Sequence, residues 1–421
     1  MKHLLTNPIA RFSAAVGFLI LSVSAGTRIS AQTDEPSREP ILRIETGMHT
    51  AVIRRIGVDD ANRFLVTASE DRTIRVWKLP EGRLLRIIRV PIGTGNEGKL
   101  FAVAISPDGN TIAAAGFMAH MGEGSTSIYL FDRESGQVIR RLSGLPSVVF
   151  HLAYSPDGKY LATSLGGGNG IRVFSTTTYA LDGEAKDYGG DSYGVDFSST
   201  GNLATISMEG LIRAYAQDRN GSLRLVAKHS LASGRQPVQL KFSPDGSRIA
   251  VGFNGSTKVA LFRASDLAPL NSPDTAGVES GFLGSIAWSA DGRTLFAGGY
   301  SKGVGFIRIW ADGGRGTYRD IAGVAANSVM HILPLRDGSI VYSAFDPALG
   351  VIDSSGNRRL FLAAPIADYR ALGSSFVISP DGTAIGFAYQ PLGQSPARFS
   401  VADRKLHTAP TDRMQWRPPP T

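Results

Sequence analysis

Along most of the chain, apolar and polar residues alternate in short runs on either side of a tight turn. Val238, Leu240 and Phe242 lead into the turn of "LKFSPDGSRIAVGF", and Ile249 and Val251 lead out of it. A period of two marks strands with one buried face. The phrase recurs as "VAISPDGNTIAAAG", "LAYSPDGKYLATSL", "IAWSADGRTLFAGG" and "FVISPDGTAIGFAY". Its turn chemistry is explicit. Pro fixes φ at the second position, Ser and Asp offer acceptors to the turn's own backbone, and Gly takes the left-handed conformation that starts the next strand. The last turn residue falls at Gly109, Gly158, Gly201, Gly246, Gly292, Gly338 and Gly382. Asn62 stands where a first copy belongs, and Asn tolerates that conformation better than most residues. From 62 to 382 the mean period is about 46 residues, with single spacings from 43 to 49.

A second phrase follows each hairpin: "TIRVW" (73–77), "SIYLF" (127–131), "GIRVF" (170–174), "LIRAY" (211–215) and "FIRIW" (306–310). It reads as a third strand ending in an aromatic that packs between neighbouring units. A fourth strand is plain in "RLLRIIRV" (83–90) and "QVIRRL" (137–142) and weaker later. Four short strands per repeat of this length predict the blades of a β-propeller. The fold class is therefore all-β, a single propeller of eight four-stranded blades, with seven as the alternative. The segment "PILRIET" (40–46) is expected to supply a closing outer strand and so hide an open edge.

These words resemble the WD-repeat propellers over residues 41–409. The fullest signature is in the first unit, where "GMH" (47–49) replaces Gly-His and is followed by Ser69, Asp71, Thr73 and Trp77. The resemblance implies that His49, Ser69, Asp71 and Trp77 form a buried hydrogen-bonded tetrad that braces the blade and has no catalytic role. The other units keep the turn and the aromatic and lose most of the tetrad. The Asp that usually follows the Trp is missing, since Lys78 follows Trp77 and Ala311 follows Trp310.

Seven positions before each turn residue, the innermost strands carry Arg55, Ala102, His151, Gly194, Gln239, Ser285 and His331, with Ser375 in the eighth unit. Large polar residues fall on odd blades and small residues on even ones. Crowding near the axis accounts for this alternation sterically. A functional reading makes Arg55, His151, Gln239 and His331 a polar belt lining the channel and holding waters or a small anion. In an eight-bladed ring the two histidines stand on opposite sides, too far apart for one metal ion. Asp196 and Lys241, two positions further along adjacent blades, are expected to form an interblade ion pair. Loops at 187–194, 232–237 and 299–305 are expected to share one face. There Tyr188, Tyr193, Arg235 and Tyr300 are candidate partner-binding residues, because tyrosine and arginine anchor interfaces.

Composition narrows the chemistry. The chain has 421 residues and no cysteine, so disulfides, thiolate metal sites and cysteine nucleophiles are excluded. There is no phosphate-binding loop, nucleophile elbow or histidine pair at helical spacing, and no catalytic residue, metal or cofactor is expected. "LGGGNG" (165–170) joins two strands and opens no helix, so it reads as a blade loop. "MAHMGEG" (118–124) gathers soft ligands around one histidine, which is weak support for copper. The first 31 residues read as a signal peptide, with Lys2 and Arg11 before an apolar core at 12–25 and small-residue sites ending at Ala25 and Ala31. An uncleaved anchor is the alternative. Residues 32–40 read as a linker and 410–421 as a Pro-rich tail.

Without the signal the formal charge falls from +8 to +5, through loss of Lys2, Arg11 and Arg28 and no acid. The remaining charges are scattered, which argues against nucleic acid as a partner. "GNEGKLFAVAISPDG", "YGGDSYGVDF" and "WADGGRGTYRDIA" look like the WD-repeat portion of bacterial proteins that also carry a caspase-like peptidase domain. Such a peptidase needs a catalytic cysteine, so this chain is expected to be a stand-alone relative or a truncated product. The expected function is an exported (periplasmic or secreted), non-enzymatic, monomeric scaffold that binds a protein partner. A propeller enzyme resembling lactonases or quinoproteins, with an axial site, is the alternative.

Overall fold

Each Ser-Pro-Asp-Gly corner reverses the chain as its residues dictate. At the second one Gly109 has φ of 75° and closes its amide on the Ser106 carbonyl at 2.8 Å. Asp108 accepts the Ser106 hydroxyl at 2.5 Å and the Asn110 amide at 3.0 Å. Asn62 adopts the same left-handed backbone, with φ of 53°. The structure, a computed structural model, describes residues 47–93, 95–118, 125–218, 220–231, 236–363, 376–387, 397–403 and 405–408. The segments read as signal peptide, linker, "PILRIET" strand and Pro-rich tail lie outside these residues, as do Arg235, Ser375 and most of the "MAHMGEG" loop. No described helix is long and apolar enough to cross a membrane.

The corners join antiparallel strands into four-stranded meanders at 53–89, 100–145, 149–185, 192–230, 282–325 and 329–363. A further unit at 236–263 has three strands, and its outer strand is reduced to one bridge between Phe262 and Pro269. In chain order these are blades one to seven. The innermost strand of each, beginning with Ile53–Val58, packs against those of the blades before and after it. Core clusters lie between blades. Val66 and Val76 of blade one, for example, pack on Val103, Ile105 and Phe131 of blade two. The result is a β-propeller.

The ring closes on seven. Ile56, Leu65 and Trp77 of blade one share a buried cluster with Leu335, Val341, Leu349 and Val351 of blade seven. Two polar contacts also cross the seam: the Ile56 amide donates to His331 Nδ1 at 3.2 Å, and the Arg336 amide donates to Asn62 Oδ1 at 2.6 Å. The eighth repeat does form a four-stranded sheet, from Phe376–Ile378 to Lys405–Thr408, but it takes no place between blades seven and one. The expectation of eight blades in one ring is thus met in the number of repeat units and corrected to seven in the ring itself. Blade one already owns its outer strand, Arg83–Arg89, so its closure on blade seven borrows nothing.

Candidate binding surface at the mouth of the axial channel

The innermost strand is the edge strand of each blade, except that a Phe253–Leu283 bridge joins blade six's to blade five, and all seven carry a β-bulge at the same place. Register skips from Ile53 to Arg55, from Leu100 to Ala102 and from Ser192 to Gly194, and likewise in the other blades. A bulge leaves one residue unpaired and re-aims its side chain. The bulged residues are Arg54, Phe101, Phe150 and Tyr193 on blades one to four, and Val238, Gly284 and Met330 on blades five to seven. Apart from Gly284, all are half-buried.

Half of this ring is an aromatic stack. Phe101 and Phe150 lie 6.1 Å apart and nearly parallel, and Phe150 stacks on Tyr193 at 4.6 Å. Arg54 caps the stack, its guanidinium 4.8 Å from the Phe101 ring centre. Glu70 holds Arg54 through Nε at 2.7 Å and faces Lys99 Nζ at 3.7 Å. Partly exposed aromatic faces beside fixed charges suit a protein surface that must bind and release.

One residue further in, the channel positions meet at the axis. Arg55, His151, Gln239 and His331 are all at least nine-tenths buried. An edge strand's inward amides lack a sheet partner, and three of these side chains supply one across blades. His151 Nδ1 accepts the Val195 amide at 3.2 Å and Gln239 Oε1 accepts the Ile286 amide at 3.1 Å. His331 does the same for Ile56. On blades three and five the large polar residue thus latches the next blade, whose own position is small. Seven being odd, blades seven and one are both large, and Arg55 resolves the clash by crossing the channel. Its guanidinium donates to the Val238 carbonyl at 3.1 Å and the Tyr193 carbonyl at 3.5 Å, on the far side of a seven-bladed ring.

The expected separation of the two histidines needs correction. They stand on nearly opposite blades, but both point inward and the channel is narrow, so their rings meet edge to face with centres 6.3 Å apart. Burial, then the charges of Arg55 and Lys241, holds both well below the usual histidine pKa. Among the described residues, no three His, Asp or Glu side chains gather as metal ligands.

Other predicted residues sit as follows. Lys241 Nζ lies 2.6 Å from Asp196 Oδ1 across blades four and five, and Asp196 Oδ2 also accepts the Phe242 amide at 2.9 Å. In blade one, His49 Nδ1 meets Asp71 Oδ2 at 2.9 Å and His49 Nε2 meets Thr67 Oγ1 at 2.7 Å. Trp77 Nε1 donates to the same Thr67 hydroxyl at 3.0 Å. Thr67 therefore takes the place expected of Ser69. Ser69 instead donates to the Ala51 carbonyl at 2.8 Å and accepts the Asp71 amide at 3.1 Å. Burial alone would raise the Asp71 pKa, but His49, Thr73 and the Thr50 amide more than offset it and hold the carboxyl well below its usual range.

Tyr188 is also corrected. It is 8% exposed and bonds Thr205 Oγ1 at 2.6 Å and the Tyr215 hydroxyl at 3.1 Å, with Arg213 over its ring at 4.0 Å. It is blade four's counterpart of His49, in a Tyr-Thr-Tyr version of the blade-one bracing, and is closed to a partner. Tyr300 is half-buried in the strand Leu295–Ser301, and Tyr193 belongs to the mouth ring.

Comparison with known proteins agrees with this architecture. The WD40 family (WD domain, G-beta repeat) matches residues 43–78 and 136–175. Coronin-7 of Rattus norvegicus is 27% identical over 265 residues, covering 59% of this chain and 27% of its own length. The guanine nucleotide-binding protein subunit beta of Arabidopsis thaliana is 26% identical over 311 residues, covering 72% of this chain and 78% of its own length. The chain thus spans about a quarter of coronin-7 and most of the smaller protein.

Proposed function

We propose that this WD-repeat propeller is an exported, non-enzymatic scaffold whose docking surface is the bulge ring at the mouth of the channel. The carrying observation is the stack of Phe101, Phe150 and Tyr193 capped by Arg54. Three aromatics contributed by three blades are held rigidly at one place by three identical bulges, with their faces half open. The steric needs of the ring are met one residue deeper, so packing alone does not call for them. WD40 repeats in the matching stretches support a protein as the occupant. The lactonase- or quinoprotein-type alternative needs carboxylates converging at the axis. The groups that meet there are a guanidinium, two imidazoles and an amide. The resemblance of "YGGDSYGVDF" and "WADGGRGTYRDIA" to bacterial caspase-associated propellers would fit the same role, recognition with any catalysis supplied elsewhere.

Two measurements test this reading. F150A and Y193A are each expected to weaken a partner recovered by the wild-type chain from the exported fraction by about tenfold or more, the loss typical of an interface anchor. Y318A, on an outer strand, should leave binding unchanged. Equal retention by all three variants would remove the mouth as the site. N-terminal sequencing of the extracytoplasmic protein is expected to begin at Gly26 or Gln32. Recovery of the intact chain from the cytoplasm alone would contradict export.

A further inference from the structure

The axial latches fix not only which atoms accept hydrogen bonds but which are left over. Gln239 uses its carbonyl oxygen on the Ile286 amide, so its Nε2 group points away with two protons. Nε2 has no partner. His331 uses Nδ1 on the Ile56 amide, so in the neutral ring the proton sits on Nε2, which is also buried without a partner. Both groups can now only donate. Ser285, the channel residue of blade six, adds a buried hydroxyl that is also without a partner and is free to donate. Arg55 brings a guanidinium, 6% exposed, whose acceptors among the described residues are two neutral backbone carbonyls, at 3.1 and 3.5 Å. Among the described residues no carboxylate lies within ion-pair distance of it. Lys241, the other cation near the two histidines, is matched by Asp196.

An unpaired buried charge and several buried donors are costly when left so. All of them belong to the innermost strands at one level of the ring; the neutral groups lack an acceptor and Arg55 lacks a counter-charge, and a single anion supplies both. We propose that the channel binds one small inorganic monoanion, of the size of chloride, between Arg55, Gln239 Nε2 and His331 Nε2. Burial of these groups excludes a bulky anion. The bound ion neutralises Arg55 and ties the blade-seven-to-one seam to blade five. It also steadies the mouth from beneath, because Arg55 holds the carbonyls of the bulged residues Tyr193 and Val238. The site is separate from the docking surface, and its failure would leave that reading intact.

The test compares thermal unfolding in sodium chloride and sodium gluconate at equal ionic strength. A ligand that binds only the folded state raises the midpoint with the logarithm of its concentration. The wild-type midpoint is expected to be higher in chloride by about 2 °C or more, a shift of the size that modest ligand stabilisation gives. H331Q, which keeps both the amide acceptor and an N–H donor, should retain the gain, and R55M should lose it. Crystals prepared in bromide are expected to show an anomalous peak within hydrogen-bond reach of Arg55, Gln239 and His331. Equal or lower wild-type midpoints in chloride, a gain surviving in R55M, or an axis without anomalous signal would each overturn the proposal. A peak in the crystal with no response in solution marks an adventitious ion and overturns it as well.

Discussion

Replacing Thr67 with valine is expected to destabilise the propeller by about 3–5 kcal/mol, while S69A costs only about 1–2 kcal/mol. Valine keeps the volume of Thr67, so no cavity opens. What is lost is a single hydroxyl serving two buried partners, Trp77 Nε1 and His49 Nε2. Both would be left without a partner in a site where Trp77 is 1% exposed and His49 fully buried. Each stranded polar group carries its own desolvation cost of about 1–3 kcal/mol. The Ser69 hydroxyl joins two backbone groups at the turn and touches neither aromatic ring. Denaturant unfolding of the two variants checks the order. If S69A proves the more damaging, the bracing assigned to Thr67 is wrong.

Acid should weaken the fold earlier than its carboxylates alone would cause. His151 and His331 are buried neutral, with burial and then the nearby Arg55 and Lys241 charges holding both folded pKa values well below the ordinary histidine range. In the unfolded chain both take up protons as pH falls through about 6.5, while the folded chain does not. The stability they permit is therefore complete above the unfolded pKa and is lost progressively below it. Two uncompensated protons give a slope approaching about 2.7 kcal/mol per pH unit. Asp71, whose folded pKa is depressed, adds its own loss only as pH falls below the ordinary Asp value of about 3.9. Unfolding measured between pH 7 and 4.5 stays above the Asp71 loss, and the difference between wild type and a variant lacking the two imidazoles reports the histidines against the raised carboxyls of Asp346 and Asp60. The double variant H151Q/H331Q should flatten the profile, since Gln239 already performs the same latch in blade five without titrating. Parallel profiles for wild type and variant would contradict this assignment.

The period-two pattern and the turn words were enough to predict strands, hairpins and blades, because each is dictated locally. Closure was not legible. It depends on whether the apolar face of blade one fits blade seven, which no single repeat states, and in the sequence the alternating series simply runs on to Ser375, outside the described residues. The channel residues were found because they fall at a fixed offset from the turn. The mouth ring lies one position earlier, and Phe101, Phe150 and Tyr193 stand there in plain sequence. Strict alternation would turn that position into the blade interface, away from the axis. The bulge breaks the alternation, so two consecutive residues serve the channel and its mouth. Tyr188 misleads for a related reason. A tyrosine among glycines reads as a loop anchor, whereas its hydroxyl is spent on Thr205 and Tyr215 inside blade four.

The most direct test of the proposed docking surface is site-specific photo-crosslinking in cells producing the full chain. A benzophenone side chain would replace Phe150 at the mouth or, separately, Asp157 in a turn at the other end of the same strand. Irradiation is expected to give a discrete covalent adduct with another protein from position 150 and none from position 157. No adduct at 150, or the same adducts from both positions, would contradict it.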